Sequence, residues 1–388
     1  MSKIGVFAGT FNPIHEGHIS FLRQVKKQLE LNKVFLMVCK NAMHKATNLA
    51  PYNHRTNMCR LAVREFSNVE VSNLEFEVAK SGFNLNTLEQ IQKQNEGSKL
   101  FLLVGPDSFL KIGSWCKFKS ILEKATIVSG YSDEKQQIEM KKLAFSLRFR
   151  PILLKTILKP IHSTKIRIKI AQGLSVSSSL NFKVQSYVSK HKLYCKQGAL
   201  VAECENACRN FVSNSRFMHC VAVSKMAAKL AEKHGENVHE ATIAGLLHDI
   251  VKEQKPAFLS ELLQMKTSFK LSEFEKSAPA VWHAPAGAIY CEKVLGIESR
   301  QILSAIASHT AGKANMTNFE KIIYIADNVS LDRKAFSARI GRKLAFKNLD
   351  RALLFQVKNH LQASFKKNLV LLDDSMKCYN QLVIAKTS

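Results

Sequence analysis

The chain has 388 residues, 46% of them hydrophobic, which suits two domains with sizeable cores and excludes a disordered protein. Lys and Arg number 57 against 31 Asp and Glu, a formal charge of +26 that draws anionic partners. No apolar run reaches the roughly 18 residues of a membrane span, so no membrane partner is expected.

Ile4-Gly5-Val6-Phe7-Ala8, closed by Gly9, predicts a short buried parallel strand. Apolar spacing near 3.6 then predicts a helix over 18–31. A second buried strand follows at 34–38, a helix at 54–66, a short strand at 69–71 and a helix at 87–94. The run 100–104 ends at Gly105-Pro106, residues 118–123 read as helix, and 125–129 and 152–154 as strands. This alternation predicts an α/β fold, an open, doubly wound parallel sheet. A helix over 184–191 leads into the linker-like Cys195-Lys196-Gln197-Gly198. Beyond Ala199 the pattern is helical throughout, with Cys220, Val223, Ala227 and Leu230 on one face and Ile243, Leu246 and Leu247 on another. Two domains are therefore expected, 1–195 and an all-α 200–388, with the boundary near 196.

The nine cysteines are scattered, odd in number and without a CxxC pair, which favours reduced thiols over a disulfide or zinc framework. With no charged-then-apolar leader ahead of the first strand, a cytoplasmic location is expected. The basic excess lacks a compact run with interleaved aromatics, so it reads as solvated surface around phosphate sites, and nucleic acid is not an expected partner.

The first strand runs into Gly9-Thr10-Phe11-Asn12-Pro13-Ile14-His15-Glu16-Gly17-His18. Such a turn lies where parallel sheets bind ligands, and a helix beginning near Gly17 offers N–H groups and a positive dipole end to phosphate. His15 and His18, three apart, can reach the same phosphate. A second cluster, Ile161-His162-Ser163-Thr164-Lys165-Ile166-Arg167, places hydroxyls and a guanidinium at a helix start, with Ser163 or Thr164 the expected N-cap.

Together the two clusters resemble the nucleotidyltransferase superfamily, with its H-x-G-H loop and S-S-T-x-I-R helix start. More narrowly, residues 1 to about 195 resemble bacterial nicotinate-nucleotide adenylyltransferases. His44-Lys45 matches that family's H-K pair, Gly82 to Thr87 its S-Y-T-x-D-T segment, and Gly105-Pro106-Asp107 with Trp115-Cys116-Lys117 its G-x-D and W-x-x segments. The resemblance implies a Rossmann-like fold and AMP transfer from ATP to nicotinate mononucleotide, with Mg2+ on the triphosphate. It implies that Gly9, Thr10, Phe11, His15 and His18 hold ATP. Lys45, Arg167, Ser163 and Thr164 would take the departing pyrophosphate, and His44, Asn84, Gly105, Asp107 and Trp115 would serve the substrates, Trp115 by stacking on the pyridine ring. Asn12 and Asn86 stand where the family usually has Asp, Phe83 where it has Tyr and His162 where it has Ser. These departures bear on the acceptor, and nicotinamide mononucleotide is the alternative.

The second half carries His219, His248-Asp249, His283 in Trp282-His283-Ala284-Pro285-Ala286-Gly287, His309 in His309-Thr310-Ala311-Gly312, and Asp327. A mixed set of imidazoles and carboxylates suits a borderline metal, and an adjacent His-Asp pair can serve two ions. This half resembles HD-domain phosphohydrolases, and more narrowly the bacterial family that cleaves diadenosine tetraphosphate symmetrically. The resemblance implies two transition-metal ions, iron first with manganese or zinc as alternatives, held by His219, His248, Asp249, His283, His309 and Asp327. Ser330-Leu331-Asp332-Arg333 departs from the family's E-P-x-R. The expected whole is a bifunctional enzyme, with a homo-oligomer left open. Two other readings stand beside it: a nucleotidyltransferase for another acceptor such as phosphopantetheine or glycerol phosphate, and a nucleic-acid binder with a regulatory HD half. Trp115 and His44-Lys45 oppose the first of these, and two sets of catalytic-type residues oppose the second.

Overall fold

The structure, a computed structural model, describes residues 1–39, 49–73, 85–157, 160–195, 198–266 and 271–387. Contacts divide the chain into two compact units, Met1–Lys196 and Gln197–Ser388.

The first unit is built on six parallel strands in the order β3-β2-β1-β4-β5-β6. They are β1 (Lys3–Gly9), β2 (Lys33–Val38), β3 (Val69–Ser72), β4 (Lys99–Val104), β5 (Ala125–Tyr131) and β6 (Ile152–Ile157). Side chains along each strand alternate between two apolar layers, so both faces need cover. Phe7, Leu36 and Leu103 pack into one core, and Val6, Met37 and Leu102 into the other. The chain winds outward one way from β1 through β2 and the other way from β4. The crevice at the ends of β1 and β4 is therefore the switch point where such sheets take ligands.

The helices of this unit are α1 (Glu16–Leu29), α2 (Tyr52–Ala62), α3 (Leu85–Gln94), α4 (Phe118–Lys124), α5 (Glu134–Ser146), α6 (Ser163–Ala171) and α7 (Phe182–Lys190). α1 starts two residues earlier than its apolar spacing suggests because His15 serves as its N-cap, and it ends at Glu30, whose φ is 51°. α5 is absent from the sequence expectation. It buries only Met140 and Ala144, too little to print a periodicity, and it is set by Asp133, which accepts the Gln136 N–H at 2.8 Å. α6 also corrects an expectation: its N-cap is His162, not Ser163 or Thr164, because the Ser163 hydroxyl donates to Pro13 O at 3.1 Å.

The second unit has no strand among its described residues. Its main helices are α8 (Ala199–Phe211), α9 (Asn214–His234), α10 (Val238–Leu247), α11 (Pro256–Gln264), α12 (His283–Tyr290), α13 (Arg300–Ser308), α14 (Asn318–Val329), α15 (Phe336–Ala345), α16 (Leu349–Lys366) and α17 (Asp373–Thr387). α9, α10, α13 and α14 pack on one another and bring the ends of α10, α13 and α14 together. α9 and α10 cross closely at Gly245, where a Cβ would lie 2.6 Å from Ser224 Cα. That crossing sets the height of His248, one residue beyond α10.

Candidate functional site

In the first unit the loop after β1 is held by groups from distant parts of the chain. Arg55 Nη1 donates to Thr10 O at 2.7 Å, Arg167 Nη1 to Asn12 O at 2.8 Å and Ser163 Oγ to Pro13 O at 3.1 Å. Asn12 Oδ1 accepts the Ala50 N–H at 3.0 Å and the Tyr194 hydroxyl at 2.8 Å. The carbonyls of Thr10, Asn12 and Pro13 are thus turned into the protein and paired, as a buried backbone requires.

At the end of this loop the imidazoles of His15 and His18 stack, with centroids 3.7 Å apart and planes at 25°. The His15 N–H donates to His18 Nδ1 at 3.2 Å, which leaves the proton of a neutral His18 ring on Nε2. A Cβ on Gly17 would lie 3.1 Å from His15 Cε1 and Nδ1, so glycine is what lets the helix start pass beneath the ring. Burial first, then the neighbouring His18 and His162, pull His15 well below the usual histidine range, so its ring is neutral near pH 7. His15 Nδ1 is buried without a hydrogen-bond partner in the protein. The helix start offers an anion less than expected, because the Glu16 N–H is taken by Ser179 O at 2.9 Å and those of His18 and Ile19 turn back to His15 O.

Of the other residues singled out in this half, Gly9 ends β1 beneath the Phe11 ring, and Phe11 is 2% exposed and wedged edge-on against Phe7 and His18. The Phe11 side chain is therefore core, and only its backbone can meet a ligand. Gly105 caps the short turn Pro106–Phe109, and Asp107 in that turn reaches His162 Nδ1 at 3.5 Å, tying the end of β4 to the start of α6. Thr164 Oγ1 accepts from Arg167 Nη2 at 3.3 Å. Trp115 is half-buried against the second core layer. His44, Lys45, Phe83 and Asn84 lie outside the described residues.

In the second unit all six residues singled out come together. The ligand atoms of His219, His248 and Asp327 lie within 4.8 Å of one another, as do those of His248, Asp249 and His309. His283 joins through Asp249, whose Oδ1 is 3.3 Å from His283 Nε2 and 3.4 Å from His309 Nε2. The backbone fixes the tautomers: His248, His283 and His309 each donate Nδ1–H to a carbonyl three residues back, Gly245 O at 2.8 Å, Ala280 O at 2.8 Å and Ile306 O at 2.7 Å. The His248 Nε2 lone pair then faces carboxylate oxygens of Asp249 at 3.5 Å and Asp327 at 3.9 Å, an arrangement that repels unless a cation lies between. His248 Nε2 and Asp249 Oδ1 are both buried without a hydrogen-bond partner. The donor set therefore fits divalent metal.

The charges agree with that fit. Burial, with His309 and Lys252 beside it, lowers His283 to about 3, so its ring is neutral and ligand-ready. Burial pushes the Asp249 carboxyl up, but His248, His309 and His283 outweigh it and hold the group well below the usual carboxylate range. Burial lowers His219, yet its bonds to Asp327 and Asp332 raise it overall.

Four partners here went unread in the sequence. Asp332 accepts from His219 Nδ1 at 2.7 Å and orients that ring, as a carboxylate behind a metal-ligating histidine does. Arg216 Nη1 reaches Asp249 Oδ2 at 2.8 Å, Arg333 Nη2 reaches Asp327 Oδ1 at 2.8 Å, and Lys252 Nζ lies 2.9 Å from His283 Nε2. Asp332 and Arg333 belong to the segment that departs from the E-P-x-R pattern. A cavity of about 510 Å³ opens beside the cluster, lined among others by Lys252, Thr310, Arg333, Lys334 and His360.

Residues 6–169 match the cytidylyltransferase-like family and residues 216–332 the HD domain family. A probable nicotinate-nucleotide adenylyltransferase of Carboxydothermus hydrogenoformans is 30% identical over 197 residues, 50% of this chain and 98% of that protein. The symmetrical bis(5'-nucleosyl)-tetraphosphatase of Bacillus subtilis is 34% identical over 173 residues, 44% of this chain and 91% of that protein. The chain belongs to both families, one in each half. The order of the halves also has a relative. A Mycoplasma genitalium protein described as a probable nicotinate-nucleotide adenylyltransferase/Ap4A hydrolase is 27% identical over 365 residues, 92% of this chain and 97% of that protein. The matched span 6–169 holds the histidine loop and the start of α6, and the matched span 216–332 holds all six residues of the metal-type cluster. No helix among the described residues is long and apolar enough to cross a membrane.

Proposed function

We propose that the chain is a bifunctional enzyme. The first unit transfers AMP from ATP to nicotinate mononucleotide, giving nicotinate adenine dinucleotide and pyrophosphate. The second is a metal-dependent hydrolase that splits diadenosine tetraphosphate into two ADP. The observation that carries this reading is that two site constellations, the stacked His15–His18 pair and the six-residue cluster around Asp249, lie on one chain related along nearly its whole length to a protein described by both activities.

In the first reaction a phosphate oxygen of the mononucleotide attacks the α-phosphorus of ATP, the α–β bridging bond breaks, and pyrophosphate leaves. No protein nucleophile is needed, so the protein contributes position and charge. His18 Nε2–H and backbone N–H groups at Thr10 and Phe11 bind the phosphates carried by Mg2+. His15, neutral and stacked beneath, holds His18 in place. Arg167, Thr164 and Lys45 take up the charge of the departing pyrophosphate, while Trp115, with His44, Asn84, Gly105 and Asp107, receives the acceptor. Asn12 supplies the two hydrogen bonds that an Asp there would accept, so that departure leaves the loop intact.

In the second unit His219, His248 and Asp327 would hold one metal ion, and Asp249, His283 and His309 the other. Bound metal would supply positive charge to the phosphates and acidify water. Iron is the first choice and manganese or zinc the others. Lys252, Arg333 and Lys334 neutralise the rest of the polyphosphate, and Asp332 and the three backbone carbonyls keep the histidines aimed.

The test is direct. Incubation with ATP and nicotinate mononucleotide should release pyrophosphate, and incubation with diadenosine tetraphosphate and Mn2+ should give ADP as the sole nucleotide. A parallel run with nicotinamide mononucleotide decides the acceptor. Absence of pyrophosphate with both acceptors would overturn the first assignment, and products other than ADP the second.

A further inference from the structure

Arg55, on α2, is the largest of the fully buried side chains among the described residues, at 1% exposure. Its guanidinium donates to three carbonyls among its partners: Nε to Ala50 O at 2.9 Å, and Nη1 to Thr10 O at 2.7 Å and Cys39 O at 2.6 Å. Thr10 directly follows β1 and Cys39 directly follows β2, so one cation ties together the ends of two neighbouring strands beside the crevice of the sheet. Removing a guanidinium from water costs several kcal/mol before its bonds are counted.

A charge in this place has an effect that a neutral brace lacks. In a trans peptide the N–H points opposite the C=O, so the guanidinium on Thr10 O sits behind the N–H of Phe11. A cation bonded to the carbonyl draws electron density through the amide and strengthens that N–H as a donor. The Phe11 ring is locked against Phe7 and His18, so the N–H cannot swing away. Phe11 itself takes a φ of 45°, a left-handed turn that a phenylalanine adopts only where its surroundings hold it.

We propose that Arg55 is a positioning residue for phosphate in the adenylyltransferase site: it fixes the Thr10–Phe11 peptide and charges its N–H as a donor to the nucleotide's phosphates. The proposal rests on the reading that the first unit binds ATP at the loop after β1.

The experiment uses the full chain. Arg55→Lys keeps a charge and Arg55→Gln keeps donors without one. If the charge matters, Arg55→Gln loses at least about tenfold in kcat for adenylyl transfer, with KM for the mononucleotide within about twofold, and Arg55→Lys recovers part of the loss. Arg55→Ala should regain activity on addition of guanidinium, a rescue that a generally weakened fold would not show. Hydrolysis by the second unit of the same polypeptide is the internal control. Should the variants fail to fold, the wild-type protein with 15N-phenylalanine answers instead: the Phe11 amide must shift strongly downfield on titration with pyrophosphate. Equal kcat in Arg55→Gln and wild type, or a Phe11 amide indifferent to pyrophosphate, overturns the proposal while leaving the enzyme assignment intact. Absence of adenylyl transfer in the wild type would instead remove the reading beneath it.

Discussion

The hydroxyl of Tyr194, close to the end of the first unit, donates to Asn12 Oδ1 in the loop after β1, at 2.8 Å and across 182 residues of sequence. The same oxygen accepts the Ala50 N–H, so three segments meet on one amide. Tyr194→Phe should destabilise the first unit by about 1 kcal/mol, the usual worth of one hydrogen bond. Asn12→Leu, which leaves a buried N–H unpaired, should cost about 2–3 kcal/mol. Each unit has one tryptophan, Trp115 and Trp282, so fluorescence unfolding in a Trp282→Phe background reads the first unit alone.

Gly17 separates stability from activity. Alanine there sits in the first turn of α1 and gains up to about 1 kcal/mol of helix propensity. Its methyl also pushes on His15, which is stacked on His18 and cannot yield freely. Gly17→Ala should therefore melt at or near the wild-type temperature while adenylyl transfer falls by about tenfold or more. Pyrophosphate release and thermal unfolding of the same sample decide it.

Asp249 lies between three histidine nitrogens. Asp249→Ala should lower bound transition metal from about two ions per chain to one or fewer and abolish hydrolysis, with adenylyl transfer unchanged. Elemental analysis and the two assays on one preparation check it. Chelation of the wild type should mimic the variant and be reversed by Mn2+ or Fe2+.

Glu320, 3% exposed, accepts from Ser304 Oγ, from Lys313 Nζ at 2.7 Å and from the Thr317 N–H at 2.9 Å. Burial pushes its carboxyl up, and these donors outweigh burial and hold it below its ordinary value. A carboxyl whose folded value is depressed gives stability that is present above about pH 4.5 and drains away as pH falls through the folded value. Glu320→Gln should cost the second unit about 2–3 kcal/mol at pH 7. The gap between variant and wild type should narrow below pH 4.5, and denaturant midpoints at pH 7 and pH 4 measure it.

What the sequence made legible follows from how locally each feature is determined. β1, β2, β4 and β5 announce themselves because both faces are covered, which forces short apolar runs, whereas the edge strand β3 keeps Glu70 exposed and shows only alternation. α5 buries two side chains and has no such signature. His248-Asp249, His283 and His309 can be read from residue type and family pattern. The backbone carbonyls that fix their tautomers cannot, because a carbonyl carries no residue name. Arg55 was invisible for the same reason. Asp332 stayed hidden behind 113 residues of separation from His219 and inside a segment that departs from the expected pattern. The packing of the Phe11 ring against Phe7 and His18 is likewise set by the fold and carries no local signature in the sequence.

The braces on the loop after β1 come from 45, 150, 155 and 182 residues away, through Arg55, Ser163, Arg167 and Tyr194. Contacts of such separation close late, because the entropy of each intervening loop must be spent first. During synthesis the first unit can assemble most of its sheet long before Tyr194 leaves the ribosome, but its phosphate loop cannot take its working shape until then. The site is thus a checkpoint on completed folding: a chain cut between β6 and Tyr194 keeps all six strands of the sheet but loses the Tyr194 hold on Asn12.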